Sequence, residues 1–351
     1  MFDHPDFDAH EGVHFFHDEV SGLRCVIAVH STARGPSAGG TRMWNYASGP
    51  ELLTDALRLS QGMSYKNAMA DIPFGGGKAV IWGDSKRDKT EALFEAFGRA
   101  VQSLQGAYYT AEDVGISTDD ILVASRETEF AAGLSIEGAP GSGDPSPVTA
   151  RGVFMGIQLA SARVFGTSDL SDRTIAVQGV GHVGGYLCEH LAEAGAKLVL
   201  TDIDQDLLRD VAERCGAQIV GPEDIYDVPA DIFSPNALGA VINEGSLPRL
   251  SCKVIAGGAN NQLLTSQMGS KVADAGILYV PDYVINAGGI INVAGEISGN
   301  YTSEWVTEKL DTLMQTLSDV FAEADESGEP TNTVADRMAR DRIAAAKHGA
   351  D

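Results

Sequence analysis

The chain has 351 residues, 44% of them hydrophobic, enough for two domains that each bury a core. Its formal net charge is −24, from 49 acidic and 25 basic residues, which argues against nucleic acid or an anionic membrane surface as a partner. Cys25, Cys188, Cys215 and Cys252 form no CxxC pair, residues 1–5 carry no apolar leader, and no run of about 18 apolar residues occurs. A reducing, cytoplasmic setting is expected, without disulfides or a membrane span.

In chain order, residues 1–45 read as strands and turns, with 23–30 a nearly continuous apolar strand. His10, His14 and His17 have the spacing of one helix face. Gly12 and the pair Phe15 and Phe16 interrupt such a helix, and no cysteine or carboxylate completes a ligand set, so no metal is expected. Residues 35–42, GPSAGGTR, read as a tight glycine-rich turn, either open to a small ligand or simply reversing the chain. Leu52, Leu53, Ala56, Leu57, Leu59 and Met63 then predict a helix that runs into Lys66.

Lys66 and Lys78 lie twelve residues apart, with Gly75, Gly76 and Gly77 set against the second. Glycine permits positive φ and close backbone approach. Two neighbouring ammonium groups disfavour each other's charge, and burial lowers an amine's pKa further, so one lysine can serve as a base near neutral pH. The same stretch also fits a turn between helix and strand with two solvated lysines. Residues 79–82 form a short strand. Asp88 with Glu91 predicts a capped helix whose stripe is Leu93, Phe94, Phe97, Ala100, Val101 and Leu104. Residues 108–110 are a strand leading to Asp113, a candidate acid or base, or a turn cap.

Residues 137–148 are rich in Gly, Pro and Ser and suit a linker. After a helix with Val153, Phe154, Ile157 and Val164 comes the sharpest pattern. Strand 174–178 meets Gly179-Val180-Gly181-His182-Val183-Gly184, a helix follows, and strand 197–202 ends in Asp202, 18 residues past Gly184. This reads as a dinucleotide-binding unit, or else as a Rossmann-like domain that has lost its ligand. Gly179 makes the turn, Gly181 admits the pyrophosphate to the helix N-terminus, and Gly184 lets helix and strand pack. Asp202 is suited to ribose hydroxyls and repels a 2′-phosphate, favouring NAD. Further βα units end near Asn236, near Ala259, Asn260 and Asn261, and at Asp282. Asn286 can cap the helix carrying Ile290, Ile291 and Val293, or hold a nicotinamide carboxamide. Two helices cover about 302–347, separated near Gly328.

These motifs together resemble the glutamate/leucine/phenylalanine/valine dehydrogenase family, most nearly its leucine and phenylalanine enzymes. The resemblance rests on 35–44, 62–78, 110–115, 145–150, 177–184 and 281–293, in order along nearly the whole chain. It implies an α/β fold: an N-terminal α/β catalytic domain over 1–144, a Rossmann-type NAD-binding domain over 145–329, an active-site cleft between them, and helices of 330–351 returning to the first domain. It implies reversible NAD-dependent oxidative deamination of an L-amino acid, in a homo-oligomer. Lys78 would be the base, Asp113 a proton-transfer partner and Lys66 the carboxylate anchor, with Gly39, Gly40 and Asn261 positioning the substrate. Met63, Ala38, Ala111, Ala132, Ile290 and Val293 would line the side-chain site. Thr149, Gly179 to Gly184, Asp202, Ile203, Asn236, Ala237, Ala259, Asn260 and Asn286 would bind NAD.

Glutamate-specific members place a lysine at the Ala38 position and a serine at the Val293 position; a buried substrate carboxylate would find no cation here. Leucine enzymes carry a larger residue at Ala38 and a threonine at Ala132. The resemblance therefore implies an apolar substrate, aromatic or branched, without choosing between them. A 2-hydroxy-acid dehydrogenase fits the paired lysines poorly, and a silent NAD-binding scaffold has no need of Lys66, Lys78 and Asp113.

Overall fold

The structure, a computed structural model, describes residues 2–134 and 144–349. Contacts divide the chain into two compact units: Met1–Asp144 with Ile290–Val306 and Ala339–Asp351, and Pro145–Gly289 with Thr307–Met338. Sequence reading assigns 290–306 to the second unit. Contacts group it with the first, because its apolar side chains meet Ala111 and Ala132. Of the expected linker 137–148, residues 137–143 lie outside the described residues.

The first unit contains strands β1 (Gly12–Asp18), β2 (Leu23–Ser31) and β3 (Ser37–Trp44), helix α1 (Gly49–Met69), strand β4 (Gly75–Trp82), helix α2 (Glu91–Gln102), strand β5 (Tyr108–Glu112) and helix α3 (Thr118–Ala124). Its sheet runs β1-β2-β4-β3-β5, with β1, β2 and β4 successively antiparallel and β3 parallel to β4 and β5. Strand alternation splits the side chains between two faces. Cys25, Ile27, Val29, Met43, Ala79 and Ile81 meet Phe94 and Phe97 of α2. Val26, Ala28 and Val80 meet Leu52 and Ala56 of α1.

Three expectations are corrected here. Residues 37–44 are a strand inside the sheet, not a turn, and Gly75, Gly76 and Gly77 open β4 rather than precede it. None of those three glycines has positive φ; close approach is what requires them. A Cβ at Gly76 would lie 2.0 Å from the Ser64 backbone nitrogen, and one at Gly75 1.9 Å from the Ser31 carbonyl oxygen. Helix α2 is capped by Thr90, whose side chain accepts from Leu93 N, while Asp88 accepts from Asp84 N. His14 and His17 lie on β1, so the three histidines share no helix face, and no metal-binding group occurs among the described residues.

The second unit begins with α4 (Ser146–Phe165) and continues through β6 (Thr174–Gln178), α5 (His182–Glu193), β7 (Lys197–Thr201), α6 (Gln205–Cys215), β8 (Gln218–Ile219) and β9 (Ile232–Pro235). Then come β10 (Val254–Ile255), α7 (Met268–Asp274), β11 (Leu278–Tyr279), α8 (Asp282–Ile285), α9 (Gly288–Ser298), α10 (Ser303–Ser327) and α11 (Thr331–Gly349), of which α9 from Ile290, the start of α10 and α11 from Ala339 belong to the first unit. The six strands are parallel in the order β11-β10-β9-β6-β7-β8. Numbered within the unit this is 3-2-1-4-5-6, the doubly wound dinucleotide-binding order, with its switch point between β6 and β9. Buried strand residues Ala176, Val199, Phe233 and Ile255 share a core with Val272 and Tyr279. In the first unit, Arg342 of α11 donates to the carbonyls of Ala68 and Met69 at 3.1 and 3.3 Å, adding side-chain donors to the carboxyl end of α1. No described helix is long and apolar enough to cross a membrane.

Candidate active site

The first unit gathers its charged groups on the sheet face that meets α1. Lys78 and Val80 alternate with Ala79 and Ile81, which sends Lys78 to that face. Lys78 is only 5% exposed, and its ammonium donates to Asp113 Oδ2 at 2.7 Å. Asp113 follows the carboxyl end of β5 and also accepts from Arg42 Nε at 3.3 Å. Burial opposes its ionisation, but Lys78 and then Arg42 hold the carboxyl below its usual range. Arg42 in turn reaches Asp55 of α1 at 3.2 Å, and Tyr46 donates its hydroxyl to Asp55. Asp113 is thus an ion-pair partner. Lys66 lies in the last turn of α1.

Between β3 and β4 the paired register passes from Ala38↔Gly76 directly to Thr41↔Ala79. The Tyr108 hydroxyl fills this interruption: it accepts from Ala79 N at 3.1 Å and donates to Gly39 O at 2.7 Å. A Cβ at Gly39 would stand 2.0 Å from Gly77 O, and one at Gly40 2.5 Å from Glu112 O. The backbone around the lysine–aspartate pair is therefore bare and close-set. Sequence reading gives Arg42, Asp55, Tyr46 and Tyr108 no role. Arg42 belongs to 35–42, and recognising that stretch as a strand would have aligned it with Lys78.

Ala111, Ala132 and Val293 are buried together, with Ile290 and Ile297 against them. Four of the expected side-chain residues thus meet in one apolar cluster, two positions before Asp113 on the chain. Ala38 is buried and Met63 half-buried; the Met63 Cγ approaches within 3.1 Å of a Cβ placed on Gly39.

In the second unit Gly179 adopts φ +95°, and a Cβ there would lie 2.8 Å from Ala237 N. A Cβ at Gly184 would sit 2.1 Å from Gly179 O, so helix and turn close only around glycine. Gly181, at the N-cap of α5, has open space beside it. Val180 N donates to Asp202 Oδ2 at 2.7 Å, which fixes the acid at the end of β7 beside the glycine turn. His182 and Ile203 are exposed beside these groups, and Val183 is half-buried. Asn236 Oδ1 accepts from Gly258 N at 2.7 Å, locking β9 to the turn after β10, where Ala259 is buried and Asn260 and Asn261 are exposed. Asn261 has φ +53°.

Asn286 closes α8, and its side chain donates to Gly258 O at 3.1 Å and Asn260 Oδ1 at 2.7 Å. Its Oδ1 is buried and has no partner among the described residues. Thr149 Oγ1 donates to Pro145 O at 3.1 Å, and a Cβ at Gly289 would approach it to 2.9 Å. A nicotinamide dinucleotide fits these residues. The open position at Gly181 suits a pyrophosphate at a helix N-terminus, and the unmet Asn286 oxygen suits a carboxamide donor.

The order of the second sheet, its glycine turn and the paired cations on Asp113 define a dinucleotide-dependent oxidoreductase. A model described as Glu/Leu/Phe/Val dehydrogenase, dimerisation domain, matches residues 10–132, and one described as Glutamate/Leucine/Phenylalanine/Valine dehydrogenase matches 200–350. The chain belongs to the glutamate/leucine/phenylalanine/valine dehydrogenase family. It is 48% identical over 343 residues to the leucine dehydrogenase of Geobacillus stearothermophilus, covering 98% of this chain and 93% of that one. It is 46% identical over 341 residues to the phenylalanine dehydrogenase of Bacillus thermotolerans, covering 96% and 89%. The crystal structure of L-tryptophan dehydrogenase from Nostoc punctiforme superposes with a TM-score of 0.84 at 42% identity, covering 97% of each chain. The protein is an amino-acid dehydrogenase that uses a nicotinamide dinucleotide.

Proposed function

We propose that the chain catalyses reversible oxidative deamination of a hydrophobic L-amino acid, aromatic or branched, to the 2-oxo acid, ammonium and NADH. The observation that carries this reading is the Lys78–Asp113 pair, at 2.7 Å with Lys78 buried, two positions along the chain from Ala111, which is buried together with Ala132 and Val293. A substrate carboxylate buried against those residues would be left without a cation; an aliphatic or aromatic side chain suits them.

In this reading Lys66 anchors the α-carboxylate, with the backbone of Gly39 and Gly40 and the side chain of Asn261 helping to position it. Thr149 and Asn286 would hold the nicotinamide, which would supply the acceptor for the hydride that leaves Cα. Lys78 is the base that takes a proton from the water adding to the iminium carbon. Asp113 exchanges protons with the amine as it leaves, giving ammonium and the oxo acid. Asp202 supports NAD over NADP, since a carboxylate there repels a 2′-phosphate. The dimerisation domain named for residues 10–132 supports a homo-oligomer, and the free thiols of all four cysteines support a reducing compartment.

The test is NADH formation at alkaline pH with Leu, Val, Ile, Phe, Trp and Glu, using NAD⁺ and then NADP⁺. Turnover with Glu above the apolar amino acids would refute the substrate class. Lys78→Ala is expected to abolish turnover while NAD⁺ still binds; an unchanged rate would remove Lys78 as the base.

A further inference from the structure

Glu296 lies on α9, one turn beyond Val293 and next to Ile297. Its two carboxylate oxygens each accept a backbone N–H from consecutive residues, Gly133 at 2.9 Å and Leu134 at 3.2 Å. Gly133 holds φ +73°, a left-handed conformation that turns both amides toward one acceptor. The residue just before it is Ala132, 2% exposed, whose side chain is in the apolar cluster. From the other side Ala132 N donates to Thr110 O at 2.8 Å, tying the same residue to β5. Ala132 is therefore fixed twice, once to the sheet and once to the helix that carries Ile290 and Val293. A half-buried carboxylate spent on two amides costs desolvation, and burial pushes its carboxyl above the ordinary value despite the amides. The nearby apolar side chains would pack without it.

We propose that Glu296 is a specificity-positioning residue: by clamping the amides of Gly133 and Leu134 to α9 it sets the width of the pocket between Ala132 and the pair Ile290 and Val293. The proposal rests on the reading that this cluster receives the substrate side chain. Widening or narrowing such a pocket by about a methylene changes discrimination by at least tenfold.

The test compares wild type with Glu296→Gln and Ala132→Val. An amide keeps one acceptor and loses the other, so one of the two backbone bonds goes. KM and kcat are measured for Val, Leu, Phe and Trp, together with amide hydrogen exchange at Gly133 and Leu134. Faster exchange at those amides is expected in Glu296→Gln, with the selectivity ratio among the four amino acids changed by about tenfold through KM and kcat largely kept. Ala132→Val is expected to shift selectivity toward smaller side chains. If Ala132→Val shifts selectivity and Glu296→Gln does not, the clamp is overturned and the pocket stands. If neither shifts it, the pocket reading falls and the clamp's role in specificity falls with it. A uniform loss across all four amino acids also overturns the proposal, because it marks a role in stability alone. Should Glu296→Gln not fold, Glu296→Asp, with the charge kept and the reach shortened, is read the same way.

Discussion

Asp113 carries two cations, Lys78 and Arg42, on a single carboxylate oxygen. Removing one cation raises a carboxyl pKa. Arg42→Gln is therefore expected to move the acid limb of the kcat/KM–pH profile to higher pH, with Lys78 still in place; a superimposable profile would deny Arg42 that influence. A second titration concerns His10 and His30, both buried, with ring centroids 4.8 Å apart. His30 meets Ser64 Oγ at 2.7 Å and Asp8 at 3.3 Å, and His10 meets the Leu57 carbonyl and Ser60 at 3.1 Å. Burial lowers the pKa of both, against the pull of Asp8. The unfolded chain then binds protons more readily than the folded one, so stability falls as pH drops below the ordinary histidine value. Urea unfolding at about pH 7 and about pH 5 should show the loss; equal stabilities would mean the pair titrates normally.

At the scale of elements, the sheet of the first unit is built around missing side chains. Gly76→Ala would push a methyl into the Ser64 backbone and separate α1 from β4. A loss of about 1–3 kcal/mol is expected from chemical denaturation, and because α1 carries Lys66 the KM should rise with it. A stable variant would show that the helix can move away. These glycines also mark where sequence reading stops. In Gly179 to Gly184 the required spacing is local, along one turn, so the dinucleotide unit was legible from its residues. The glycines of 35–40 and 75–77 answer to neighbours distant in sequence, and composition alone does not separate a turn from a crowded strand. For the same reason Arg42 and Tyr108 passed unremarked: their partners come from strand pairing, whereas Lys66 and Lys78 stood out as charges beside glycine. Glu296 had no signal at all, since its partners are main-chain amides.

The whole molecule is strongly acidic, at −24. Like charge on that scale opposes the compact state, and salt screens it over about 8–10 Å near physiological strength. Raising NaCl from about 0.05 to about 0.5 M should raise Tm; a falling Tm would mean that surface pairs such as Arg249–Asp227 and Lys271–Glu244 outweigh the repulsion. The first unit is assembled from three stretches of chain, and the last of them supplies Arg342 to the carboxyl end of α1. Ribosomes deliver a chain from its amino end, and domains ordinarily fold in that order. Here every residue of the second unit has been synthesised by Met338, while the first still awaits Ala339–Asp351. During translation the unit begun first is the one finished last, and the helix bearing Lys66 waits for the Arg342 contact until the third stretch has been made.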